Sequence, residues 1–175
     1  MKSLSLRKLT LAAVIAAVYA ALTMLLPALS YSNWQFRISE ALCILPFFFP
    51  YTTWGLFVGC MIANIISTVG PIDVIFGSLA TLGAGLCTAA IGRGGSTPLR
   101  RVLGCLMPVL FNGVIIGAEL ALIAGGSEGS RLMLFAIYGL EVAIGEAGVM
   151  FIIGLPLMTL LPKSPALRRL YDTMK

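Results

Sequence analysis

The chain has 175 residues, 59% of them apolar and only 11% charged, with a formal net charge of +5 and no histidine. A soluble domain carries about a quarter charged residues, so this chain lacks the charge to clothe a surface in water. It is read as an all-α integral membrane protein, one domain over residues 1–175. Without histidine the commonest general base and metal ligand are missing. The basic residues lie between and beyond apolar runs without interleaved aromatics, which excludes a nucleic-acid face.

The first apolar run, 9–27, follows Lys2, Arg7 and Lys8. A signal peptide starts the same way, but this run is long enough to cross about 30 Å of hydrocarbon and is read as a span. Within it Ala12, Ala16 and Ala20 recur every four residues, with Ala13, Ala17 and Ala21 beside them. Small residues at that spacing let a helix approach closely, inside the molecule or on a partner. The segment 30–37 is polar and aromatic. Its Tyr31, Trp34 and Phe36 are either an interfacial belt or a lid that stacks on a flat ligand.

The second run, 38–50, is short and holds Pro46 and Pro50, so a short or kinked helix supported by neighbours is expected. The third, 53–69, contains Asn64, and Gly70-Pro71 turns the chain into the fourth, 73–91. The loop 92–101 is basic and glycine-rich. It lacks the strand and the GK[ST] of a phosphate loop and is read as a flexible turn. The fifth run is 101–124 and the sixth 132–161, the latter long enough to tilt or break, with Pro156 the expected break.

Six spans place both ends on one side. That side holds Lys2, Arg7, Lys8, Arg93, Arg100, Arg101, Lys163, Arg168, Arg169 and Lys175, and the other only Arg37 and Arg131. The positive-inside rule makes both termini cytoplasmic, in a cell membrane. Cys43, Cys60, Cys87 and Cys105 form no CxxC pair and are read as apolar fillers rather than metal ligands.

Of the acids, Glu128 and Asp172 fall in solvated segments, while Glu40, Asp73, Glu119, Glu141 and Glu146 fall within spans or at their ends. Charge there is costly and needs a cavity or a partner. At about 1.5 Å per residue, Glu40, Asn64, Asp73 and Glu119 lie in the outer half, Asn112 and Glu141 near the middle, and Glu146 deeper. A polar outer half over an apolar inner half describes a solute site open to the outside rather than a pore. Asp73 either caps a helix or joins that site. Glu40 caps, pairs with Arg37 or binds. Glu119 sits at headgroup level or binds. Glu141 and Glu146 diverge by about 140° around a helix, so one faces the cavity and the other a neighbour.

The stretches QFRISEAL (35–42), GLFVGCMIAN (55–64) and DVIFGSLATL (73–82), with Glu141 and Gly145-Glu146, resemble the substrate-binding S components of energy-coupling-factor (ECF) transporters. Within these the chain is most similar to the QueT group, associated with queuosine precursors. The resemblance implies a six-helix S-component fold with cytoplasmic ends, and a binding protein rather than an enzyme, without a cofactor. It also implies a lid from the first outer loop, and import driven by a transmembrane coupling subunit and two ATPases, docked on Ala12, Ala16 and Ala20. A deazaguanine base is flat and has an edge with two adjacent N–H donors, which a carboxylate accepts. The expected substrate site is Trp34, Phe36, Arg37, Glu40, Asn64, Asn112, Glu119, Glu141 and Glu146. The alternatives are an S component for another vitamin such as thiamine, or a stand-alone proton-coupled secondary transporter.

Overall fold

The computed structural model describes residues 6–32, 35–67, 69–125 and 128–165, with the backbone alone at 128 and 129. All regular structure among them is helical. Helix α1 (Leu6–Leu25) leads through a short α2 (Pro27–Ser30) to a ten-residue 3-10 helix (Ile38–Phe47). Then come α3 (Thr52–Asn64), α4 (Pro71–Gly92), α5 (Pro98–Ala124) and α6 (Glu128–Val149). A π-helical turn (Met150–Gly154) joins α6 to α7 (Leu155–Leu160), and a last 3-10 turn spans Leu161–Lys163.

The starts of the long helices follow from local chemistry. Prolines open α4 and α5, where the first N–H has no helical partner anyway. Thr97 caps α5, its hydroxyl accepting from the Arg100 N–H at 3.3 Å. The expected break at Pro156 falls one turn earlier, over Met150–Gly154. The proline ring crowds the carbonyl of Ile152, and the widened turn makes room for it.

Among the described residues, four segments are long and apolar enough to cross a membrane: Leu6–Leu25, Pro71–Gly92, Pro98–Ala124 and Ser130–Lys163. Their outer faces carry exposed side chains such as Val14, Val18, Ile75, Leu79, Leu110, Val114 and Ile152, which lipid rather than water must cover. The third expected span is shorter than 53–69, since α3 ends at Asn64.

The helices pack in the order α1, α3, α4, α5, α6, around the 3-10 helix, which touches all five. Close approach is set by small residues. A Cβ on Gly55 would lie 2.3 Å from the Ala12 carbonyl oxygen, and one on Gly59 2.7 Å from that of Ala16. Because 12 meets 55 and 16 meets 59, α1 and α3 run parallel. The chain must therefore return between them, and the 3-10 helix makes that return. Arg37 just before it pairs with Asp73 at the start of α4, and the Phe47 carbonyl at its other end lies against Gly92 at the end of α4. A 3-10 helix rises about 2.0 Å per residue against 1.5 Å in an α-helix, so few residues reach far. Pro46 inside it has no N–H to donate. It is buried almost all round, and it joins two apolar cores. One holds Ile15, Tyr19, Cys43, Leu56, Cys60 and Ala63. The other holds Ile44, Phe47, Cys105, Val109, Met150 and Met158. Between α5 and α6, Gly113 meets Ala143 and Gly117 meets Gly139, an antiparallel pairing at backbone distance.

Candidate functional site

The buried polar groups gather where the 3-10 helix starts, and they divide into two sets. The first set belongs to α1, the 3-10 helix, α3 and α4, and its acids are saturated. Glu40, 1% exposed, accepts from the Tyr19 hydroxyl of α1 on one oxygen. Its other oxygen accepts from the Cys43 thiol at 2.9 Å, one 3-10 turn on. Thr23 and Ser39 bond beside them at 2.6 Å. Asp73, also 1% exposed, accepts from the Arg37 guanidinium at 3.4 Å and from the Ser67 hydroxyl. The Asn64 amide donates to the Asp73 carbonyl at 2.9 Å. Gly77 leaves room for this knot, since a Cβ there would lie 2.4 Å from Asn64 Nδ2.

The second set lies on α5 and α6, and its acids are not saturated. Glu119 and Glu146 are each 2% exposed. Neither oxygen of Glu119 has a partner, nor does Oε1 of Glu146 or the buried Oε2 of Glu141. Asn112 lies within hydrogen-bonding reach of Glu146. Glu119 interacts electrostatically with Asp73 and Arg37, and Glu146 with Glu40 and Arg37. A buried carboxylate without a partner is a large free-energy deficit. Among the described residues the protein offers these groups nothing further to bind.

Residues 30–32 and 35–37, before the 3-10 helix, are tied to the helices around this cluster. The Tyr31 hydroxyl donates to the Ala63 carbonyl at 2.6 Å, anchoring it to the end of α3. Arg37 donates from Nε to the Ser30 carbonyl at 3.1 Å, folding the segment on itself, and its guanidinium lies 5.7 Å from the Tyr31 ring centre. Phe36 reaches α6, where a Cβ on Gly148 would come 2.8 Å from its ring. Gln35 is buried with φ at +43°, a left-handed conformation held by the flanking contacts.

The expected site residues Phe36, Arg37, Glu40, Asn64, Asn112, Glu119 and Glu146 therefore gather in one region, while Glu141 is half-buried on α6. Trp34 lies outside the described residues. Three expectations change. Asp73 does not cap α4 but holds Arg37. Arg37 is accordingly not the partner of Glu40. The stripe Ala12, Ala16 and Ala20, expected to dock a partner, turns inward: Ala16 and Ala20 are each 6% exposed, and Gly55 and Gly59 of α3 lie against Ala12 and Ala16. The stripe facing outward is Ala13, Ala17 and Ala21.

Sequence reasoning missed Tyr19 and the cysteines. Tyr19 falls on the alanine stripe three residues after Ala16, and a tyrosine buried in a span needs a partner for its hydroxyl. Cys43 and Cys60 fill the apolar core as expected, but Cys43 also donates to Glu40 and Cys60 accepts from Thr81 at 3.3 Å.

Sequence comparison agrees with the reading as a membrane protein. The family described as QueT transporter matches residues 9–163. The chain is 44% identical over 72 residues to the queuosine precursor transporter QueT of Lactococcus lactis subsp. cremoris (strain MG1363). That stretch covers 40% of this chain and 42% of the relative, less than half of either. No solved structure matches. The long apolar helices make this a multi-pass membrane protein, and the match over most of the chain shows that it belongs to the QueT transporter family, a family of transporters rather than enzymes.

Proposed function

We propose that this protein captures a queuosine precursor, a deazaguanine base, as the substrate-binding S component of an ECF transporter. The observation that carries the reading is a charge imbalance among buried side chains. Glu40, Asp73, Glu119 and Glu146 are buried, against Arg37 as the one buried base among the described residues. Arg37 is committed to Asp73, and Glu40 to Tyr19 and Cys43. Glu119, Glu146 and Asn112 remain for a ligand rich in N–H donors, and the guanine-type edge is such a ligand. Phe36 lies against α6 near Glu146 and supplies an aromatic wall for a flat ring.

Six passes with both ends cytoplasmic fit the alternating helix directions and the ten-to-two basic asymmetry. Cysteine labelling at Ser96 and Ser127 then reports opposite sides. The outward stripe Ala13, Ala17 and Ala21 offers a coupling subunit a smooth helix face. Energy would come from the two ATPases of that assembly.

Calorimetric titration of the purified protein with aminomethyl-deazaguanine tests the ligand, with saturable one-site binding expected. Absence of binding removes the ligand assignment. Proteoliposome uptake tests the mechanism. Transport is expected only with the coupling subunit, the ATPases and ATP. Uptake by the protein alone under a proton gradient would replace the S-component reading with secondary transport.

A further inference from the structure

We propose that Glu119 is a specificity residue that reads a positively charged substituent on the ligand, while Asn112 and Glu146 read the donor edge of its ring. This deepens the function proposed above and rests on it. Asn112 and Glu119 are seven residues apart on α5, hence on the same helix face and about 10 Å apart along its axis. Both are buried, at 7% and 2% exposed. Glu119 lies five residues from the end of α5 at Ala124, about 7–8 Å from the rim. Asn112 lies two turns deeper, opposite Glu146.

The two levels differ in chemistry. The deep level pairs an amide with a carboxylate, which together present acceptors and a donor to a flat polar edge. The rim level is a carboxylate, 2% exposed, with both oxygens unpartnered. A buried carboxylate without a donor calls for a cation. Arg37 bonds Asp73 and the Ser30 carbonyl, and forms no hydrogen bond to Glu119. A bicyclic base with its donor edge at one end and an ammonium at the other spans from one level to the other. An uncharged substituent of similar size leaves Glu119 without a counterion.

The test is paired calorimetry of wild type, Glu119→Gln and Glu146→Gln with aminomethyl-deazaguanine and with its uncharged cyano analogue. Wild type is expected to prefer the amine. Glu119→Gln is expected to shrink that preference at least about thirtyfold, a charge-pair effect. Glu146→Gln is expected to weaken both ligands in parallel. Glu119→Asp, which keeps the charge, is expected to retain a preference for the amine and guards against misfolding of the Gln variant. If Glu119→Gln weakens both ligands equally, or leaves the preference intact, the specificity role is overturned while the proposed function stands. If wild type binds neither ligand, the function itself fails, and this inference with it.

Discussion

Glu40 and Asp73 on one side of the interior, and Glu119 and Glu146 on the other, are the same kind of residue at nearly the same burial. What separates them is their surroundings. Each acid of the first pair is met by donors from other segments of the chain: Tyr19 of α1 for Glu40, and Arg37 and Ser67 of the flanking loops for Asp73. The second pair is met by Asn112 alone. A buried acid tied to its own chain contributes to the fold. A buried acid left open is held there at a cost in stability, which a ligand offsets on binding. On the proposed function, the halves of the molecule thus divide structure from recognition.

The division breaks most visibly at Asp73. Asp73→Ala leaves Arg37 buried and unpaired, with an expected loss of about 3–5 kcal/mol of stability. Thermal unfolding in detergent measures it. On the other side, Glu146→Gln is expected to lower affinity for aminomethyl-deazaguanine by about 2–5 kcal/mol. Its unliganded melting temperature should not fall, because Oε1 has no partner to lose. Glu40→Gln sits between these cases. It can still accept from Tyr19 but faces the Cys43 thiol with an amide, an expected loss of about 1–3 kcal/mol in stability. Smallest in energy is the alanine comparison. Ala16→Leu overpacks the contact with Gly59 and is expected to lose about 1–3 kcal/mol. Ala17→Leu, on the outward face, is expected to change stability by less than about 0.5 kcal/mol. It should nevertheless abolish uptake by the complete transporter while ligand binding survives.

Much of this was legible in the sequence. Apolar runs located the four long helices, because lipid demands uninterrupted apolar length. The acids within the runs were legible as groups in need of a cavity or a partner, because charge inside spans is costly. Other features were not legible. The alanine pattern identifies two small-residue stripes, but which one faces α3 depends on where Gly55 and Gly59 come to lie. Pairing of Arg37 with Asp73 rather than Glu40 depends on the 3-10 helix lying along α4, a contact between segments 36 residues apart. The 3-10 geometry itself was hidden, since the pair of prolines indicates a disturbed helix without giving its pitch. Cysteines were read by their usual role as small apolar fillers, and only the position of Glu40 one turn before Cys43 makes that thiol a donor.

The most direct test of the division is one thermal-unfolding series in detergent, with and without saturating aminomethyl-deazaguanine. It compares Glu40→Gln, Asp73→Asn, Glu119→Gln and Glu146→Gln with wild type. The account predicts that Glu40→Gln and Asp73→Asn melt lower without ligand. Glu119→Gln and Glu146→Gln should melt at or above wild type without ligand and lose most of the ligand-induced rise. The reverse pattern, with Glu119→Gln and Glu146→Gln melting low yet keeping the full ligand-induced rise, would contradict it.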